Sequence, residues 1–102
     1  GKSSGGANRE RHDARLRRIA AALPVAPPFD LEDWVGRATD AYNGFKHAHR
    51  DLPDTMESYR TLNESWLVFR LWVAGRIGVR SETLERRRAT DYLWRRCEDL
   101  NR

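Results

Sequence analysis

Hydrophobic residues recur at helical intervals in four segments of this chain, and turn signals separate the segments. The pattern predicts helices over about 9–23, 30–49, 55–77 and 81–100, with a proline-rich connector between the first two. None of the segments alternates with the period of two that is typical of a half-buried strand. Helices joined by short turns pack beside antiparallel neighbours. The sequence therefore predicts an all-α fold, a four-helix up-and-down antiparallel bundle.

Polar residues and a glycine mark the ends of these predicted helices. Asn8, Asp30, Asp54 and Ser81 stand at the four starts, where a side-chain oxygen can accept a hydrogen bond from the first turn. Gly78 follows the third helix and can adopt the left-handed backbone conformation that commonly ends a helix. We expect helix boundaries at these residues.

Each helix has an apolar stripe that we expect to face the core. In the first helix the stripe is Leu16, Ile19, Ala20 and Leu23. In the second it is Leu31, Trp34, Val35, Ala38, Ala41, Tyr42 and Phe45. In the fourth it is Leu84, Ala89, Tyr92, Leu93, Cys97 and Leu100. Helical spacing puts Trp34 and Trp66 in the core, whereas Trp94 lies off its stripe and is expected to be exposed, as a stacking platform or partner contact.

The third helix has more large apolar residues than one core can take. One stripe contains Met56, Tyr59, Leu62, Trp66, Phe69, Val73 and Ile77. A further set extends beyond the roughly 100° that a surface helix buries: Leu67, Val68, Leu71, Trp72 and Ala74. Either this helix is the centre of the bundle, or one face lies in the core and the other in an interface. A surplus apolar patch predicts a two-fold homodimer with Trp66 or Trp72 near its interface.

Composition is consistent with one small domain. Of the 102 residues, 9–102 are expected to form the domain and 1–8 a flexible linker or cloning remnant. The linker, a weak first helix and a proline hinge suggest the C-terminal piece of a longer protein, whose other domains would be partners. No apolar run approaches the ~20 residues of a membrane span. The lone Cys97 excludes an intramolecular disulfide and fits a cytoplasmic location.

Positive charge is concentrated at the two ends of the chain. Residues 1–23 have six Lys/Arg against two acids, and residues 79–102 have seven against five. The formal net charge is +4. A basic surface favours an acidic partner such as RNA, because phosphates attract Lys and Arg. The alternative is a solvated face without a partner.

Polar side chains that could form a site are concentrated near the end of the second predicted helix. Asn43, His47 and Arg50 are spaced at i, i+4 and i+7, so they share the helix face opposite the apolar stripe, together with Asp40. An amide, an imidazole and a guanidinium on one face form a candidate site. The sequence has no Gly-rich phosphate loop, His-Glu-x-x-His motif or Cys/His cluster, so no metal and no cofactor is expected.

The same stretch resembles a known family. Asn43-Gly-Phe-Lys-His47, followed by Ala48-His-Arg-Asp-Leu-Pro-Asp54, is similar to the polar motif of HEPN domains. The Apea-like branch has this motif in the form Arg-Asn-x-x-x-His at a helix end. A looser likeness covers roughly Leu31 to Leu93. The resemblance implies a small antiparallel helical bundle, often dimeric, and many such domains are metal-independent RNases in toxin or antiviral defence systems.

The resemblance also implies roles for individual residues. His47 would be the general base that takes a proton from an RNA 2′-hydroxyl, and Asn43 would orient His47 or bind phosphate. Arg50 is not part of that motif, but it continues the polar stripe and could supply a cation that stabilises transition-state charge. Lys46 and Arg37 are the candidate RNA contacts.

Tyr42 occupies the family's Arg position, and this departure keeps three hypotheses open. The first is a metal-independent endoribonuclease. The second is a degenerate HEPN module kept for dimerisation or partner binding. The third is a basic helical nucleic-acid binder unrelated to HEPN domains. The tyrosine favours the second, and the terminal arginines favour the third.

Overall fold

A computed structural model describes residues 11–46 and 54–102, with side chains described for 11–43 and 54–102. In these ranges the chain forms five α-helices and a short 3-10 turn, and it contains no strand. The helices are α1 (His12–Ala21), α2 (Leu31–Lys46), α3 (Thr55–Arg76), α4 (Ser81–Arg87) and α5 (Tyr92–Leu100), with the 3-10 turn at Arg88–Thr90. The all-α prediction is confirmed. The predicted linker over 1–8, the Asn8 cap and the end of the second helix at 47–49 lie outside the described residues.

The single helix predicted over 81–100 is wrong, because the chain breaks at Asp91. The Asp91 backbone is extended, with φ −89° and ψ 114°. Its Oδ1 accepts hydrogen bonds from the backbone N–H groups of Leu93 at 2.9 Å and Trp94 at 3.2 Å. An aspartate in this conformation satisfies the free donors of a new helix, so α5 starts here instead of continuing α4.

Two of the three predicted aspartate and serine caps in the described ranges are confirmed. Asp30 Oδ1 accepts from the backbone N–H of Asp33 at 3.0 Å, and Asp54 Oδ1 accepts from that of Glu57 at 2.8 Å. The prediction for Ser81 is wrong. Ser81 is the first residue of α4, and its hydroxyl donates instead to the Pro24 carbonyl at 3.1 Å, which ties α4 to the connector.

Gly78 ends α3 as predicted. Its φ is +90°, a conformation that L side chains rarely adopt. The N–H of Val79 donates to the Ala74 carbonyl at 2.9 Å, and the N–H of Gly78 donates to the Gly75 carbonyl at 3.3 Å. This pair of bonds is a Schellman motif, which satisfies carbonyls that the helix end leaves open.

The core lies on one side of α3, which contacts α1, α2 and α5. One buried cluster joins α1 and α2 to α3: Leu16, Trp34, Val35 and Val68. A second joins the connector and α5 to α3: Val25, Leu67, Leu71, Trp94 and Cys97. Leu23 and Phe29 pack against both clusters, so the connector between α1 and α2 closes the core.

Trp34 is buried as predicted, but the predictions for Trp66 and Trp94 are wrong. Trp66 is 62% exposed, because the core forms on the face of α3 that includes Leu67 and Val68. Trp94 is buried, because the break at Asp91 resets the helical phase and turns it inward.

The same phase change exposes Tyr92, which is 80% exposed although the continuous-helix pattern put it inside. Ala89, on the 3-10 turn, is exposed for the same reason. Tyr42, which was expected on the core flank of α2, is more than two-fifths exposed.

Candidate functional site

The last described turns of α2 contain the start of the predicted polar stripe. Asp40 is exposed and Asn43 is partly exposed, so both are accessible from solvent. Lys46 is the last residue of α2, and its side chain lies outside the described set. His47 and Arg50, the proposed base and cation, lie outside the described residues.

A histidine of α1 stacks on Tyr42, the residue that precedes Asn43 in α2. The rings of His12 and Tyr42 stack with centroids 4.1 Å apart and an interplanar angle of 15°. Burial lowers the pKa of His12, and the charge of Arg15 lowers it further, so His12 is mainly neutral at neutral pH. The contact places the imidazole of His12 next to Tyr42, which directly precedes Asn43 in the chain. Sequence reasoning missed it because the two rings are thirty positions apart in the chain.

Arg37, expected to contact RNA, is held inside the fold. Its guanidinium Nη2 lies 2.7 Å from Glu64 Oε1 and 2.8 Å from Asp33 Oδ2, and Nη1 donates to Thr61 Oγ1 at 2.9 Å. The side chain is only 12% exposed. Burial by itself lowers the pKa of Arg37, but the hydrogen bonds and charges of Glu64 and Asp33 outweigh burial and raise it. These partners make Arg37 a cross-link between α2 and α3.

Glu64 is the fully buried centre of this polar network. Its contact with Arg37 is an ion pair outside good hydrogen-bond alignment. Its other oxygen, Oε2, accepts from Asn101 Nδ2 at 2.7 Å. Asn101 Oδ1 in turn accepts from Arg60 Nη1 at 2.9 Å. The network therefore binds α2 and the end of α5 to α3, and its charges are compensated within the fold.

Cys97 lies in the core on the α5 side of this network. Burial, followed by the nearby charge of Glu64, raises the pKa of the Cys97 thiol to about 12. A thiol that stays protonated and covered at neutral pH is a poor nucleophile. This residue acts as a small apolar group.

A largely apolar groove lies between the end of α3, α4 and the start of α5. Its volume is about 480 Å³. Leu71, Leu84 and Trp94 are among its apolar lining residues, and Arg70 and Asp91, which form an ion pair with each other, also line it. Asp91 is thus engaged both by Arg70 and by the start of α5.

The largest feature of the described surface is an apolar strip on α3, which we call the outer face. Its seven residues are between 44% and 74% exposed: Met56, Tyr59, Leu62, Trp66, Phe69, Val73 and Ile77. Together they expose on the order of 800 Å² of side-chain surface, if each large side chain can present about 150–250 Å². That exceeds the 300–600 Å² or so that is typical for the largest apolar patch on a monomer. The sequence identified this strip but left open whether it faces core or partner.

The spacing along the outer face is that of a helix–helix seam. From Tyr59 to Val73 the intervals are 3, 4, 3 and 4 residues, the heptad repeat of coiled coils. All five seam residues are apolar or aromatic, so the seam is uninterrupted over this length. A second helix could pack along it.

Other kinds of site find no support in the described part of the chain. No group of three His, Cys, Asp or Glu residues there is arranged to hold a metal ion. Nor does any helix in that part combine the length and apolar character needed to cross a bilayer. Comparisons with protein-family models, with curated proteins and with solved structures find no match to this chain.

Proposed function

We propose that this domain is a helical dimerisation module in which the outer face of α3 binds the same face of a second copy. One observation carries the proposal: seven large apolar side chains are exposed in a continuous strip on the longest helix. The HEPN resemblance is in keeping with this function, because HEPN domains are often dimeric. It corresponds to the degenerate HEPN module of the sequence hypotheses, with Tyr42 at the family's Arg position.

The size of the outer face suits such an interface. A standard protein–protein interface buries about 800 Å² on each partner, close to the exposed area of this strip. A patch that pairs with itself also satisfies the requirement of a two-fold interface, in which both subunits use the same surface.

The composition of the outer face also suits binding. Tyr59, Trp66 and Phe69 lie near its middle, and buried aromatic residues, above all Trp and Tyr, supply much of the binding energy in interfaces. Exposure of these rings to water is unfavourable, and burial against a second copy would be favourable by the free energy of removing apolar surface from water. A second copy is therefore the occupant that we propose.

Sedimentation equilibrium at about 1–100 μM tests this proposal, the range in which moderately tight dimers dissociate. The unaltered chain should be a dimer at the upper end. Trp66→Glu should weaken dimerisation roughly thirtyfold or more, because it replaces a central aromatic residue with a charge in both subunits. Tyr92→Glu is the matched control, since it removes an exposed aromatic residue that belongs to α5 and not to the strip. A wild-type chain that stays monomeric would refute the proposal.

RNA cleavage is a second candidate function, and the solvent accessibility of Asp40 and Asn43, on the helix face expected to include His47, favours it. In this proposal His47 takes the proton of an RNA 2′-hydroxyl, whose oxygen attacks the adjacent phosphate and displaces the 5′-oxygen. The products are a 2′,3′-cyclic phosphate and a 5′-hydroxyl end. Asn43 and Arg50 would hold the phosphate, and Lys46 would contact the RNA backbone.

An RNA cleavage assay with end-group analysis tests this second function. His47→Ala should reduce cleavage about 10²–10⁴-fold while helix content stays unchanged, because it removes the general base. The neighbouring variant His49→Ala should cleave normally, and chelator should have no effect. If the wild-type dimer cleaves no RNA, this candidate fails and dimerisation stands alone.

A further inference from the structure

We infer that the two α3 helices of the dimer pair antiparallel, around a two-fold axis that passes between Trp66 and Phe69. This inference rests on the proposed function, because it concerns the arrangement of the same outer face. The antiparallel arrangement specifies which residues of the two copies contact each other and which orientation of the two helices is disfavoured.

The charge of Arg76 discriminates between the two orientations. Arg76 follows Val73 by three residues, so it occupies the next seam position at the C-terminal end of α3. A parallel, in-register pair would place Arg76 directly opposite Arg76 of the partner subunit. Two like charges that face each other in a partly dry seam repel. An antiparallel pair moves the two guanidinium groups to opposite ends of the interface.

The antiparallel orientation also gives Arg76 a suitable contact. In the register that centres the axis between Trp66 and Phe69, Arg76 lies opposite Tyr59 of the partner subunit. Arginine binds aromatic faces well, and Arg76 already lies 5.6 Å from the ring centroid of Trp72 in its own chain. The cation is therefore accommodated at the end of the seam.

In the remaining layers of this register, apolar residues of one copy face apolar residues of the other. Trp66 packs against Phe69 of the partner subunit, and Leu62 packs against Val73 of the partner subunit. Shifting the pair by one heptad in one direction would oppose Val73 to the polar Thr55, and a shift in the other direction would leave Tyr59 and Leu62 beyond the end of the partner's α3. In the central register every seam residue from Tyr59 to Val73 lies opposite a residue of the partner's α3, and the helices cross at about 20°, as heptad seams do.

This geometry predicts distances between the two subunits. With a rise of about 1.5 Å per residue, the two copies of Thr55, at the first position of α3, lie roughly 37 Å apart along the axis. A parallel, in-register pair would instead bring the two copies of Thr55 to a lateral distance of about 10 Å.

Spin-label distance measurements on the full chain test the orientation. Thr55→Cys places a label at an exposed position, and Cys97 is buried and stays unlabelled, which labelling of the unaltered chain checks. The labelled dimer should give a long distance, of roughly 35–40 Å. A short distance, below about 20 Å, would establish a parallel pair and overturn the inference.

Arg76→Ala provides a second, independent measurement. In the antiparallel pair it should weaken dimerisation by roughly five- to thirtyfold, since two cation–aromatic contacts, one at each end of the seam, are lost. In a parallel pair it should tighten dimerisation, because two facing charges are removed. A chain that is monomeric in sedimentation refutes the dimer itself, whereas a dimer that tightens on Arg76→Ala refutes only the antiparallel arrangement.

Discussion

At the scale of single residues, Glu64 shows how a buried charge can be tolerated. Removing a carboxylate from water costs several kcal/mol, and only close partners repay that cost. Glu64 has an arginine from α2 on one side and the Asn101 amide on the other. Its burial therefore depends on three separate elements meeting at one point.

Glu64→Ala should lower the free energy of unfolding by about 3–5 kcal/mol, because it leaves the largely buried Arg37 without its main partner. Urea denaturation followed by circular dichroism measures this change. Glu57→Ala is the matched control, since Glu57 pairs with Arg60 nearer the surface and should cost no more than about 1 kcal/mol.

The double variant Arg37→Leu with Glu64→Leu should be more stable than either single variant, because no buried charge is left alone. If Glu64→Ala costs as little as Glu57→Ala, the interpretation of Glu64 as the centre of the network is wrong.

At the scale of helices, local signals determined where most elements start and stop. Asp30, Asp54 and Gly78 act at the positions that their chemistry favours. Asp91 is equally local, but it lies within an apolar period that reads as one helix, and so its effect as a cap was missed. A strong cap signal inside a periodic segment therefore indicates a break.

Two glycine substitutions should change stability in opposite directions. Gly78→Ala should destabilise the domain by about 1–2 kcal/mol, because its φ of +90° is unfavourable for a side chain. Gly36→Ala should stabilise it by up to about 1 kcal/mol, since Gly36 lies inside α2 and a Cβ there would meet nothing within 4 Å. Thermal unfolding of both variants measures the difference. Unchanged or higher stability of Gly78→Ala would contradict the account of the α3 end, and a loss of stability in Gly36→Ala would contradict the prediction for α2.

At the scale of the whole molecule, α3 has apolar residues on two faces, and among residues 11–46 and 54–102 only one of these faces is covered. The covered face includes Thr61 and Glu64, which find Arg37 and Asn101 as partners there. The outer face has no charged or amide side chain of its own that could bind polar groups of α1, α2 or α5 in the same way. This asymmetry leaves the outer face for a second copy in the proposed dimer.

Dimerisation of this kind should make thermal stability depend on protein concentration. A hundredfold increase in concentration should raise Tm on the order of 5 °C, because association favours the folded state by mass action. Trp66→Glu should remove this dependence, whereas Tyr92→Glu should keep it. Equal Tm values for the wild-type chain at all concentrations would indicate that no dimer forms.

The sequence by itself determined the helical class, the approximate positions of the first three helices and the end signals at Asp30, Asp54 and Gly78, because periodicity and capping depend on residues a few positions apart. It also identified the outer face as a stripe and the Asn43–His47 segment as a candidate site. It did not determine which face of α3 would be buried.

That choice was made only in the tertiary structure, where Arg37 of α2 meets Glu64 of α3. The stacking of His12 on Tyr42 was likewise decided only there. Both contacts join residues that are distant in the chain, and no spacing rule relates them. The inward turn of Trp94 depended in the same way on how α5 packs against α3 after the break at Asp91. Local patterns determine helices, whereas the partners available to buried polar groups decide which faces come together.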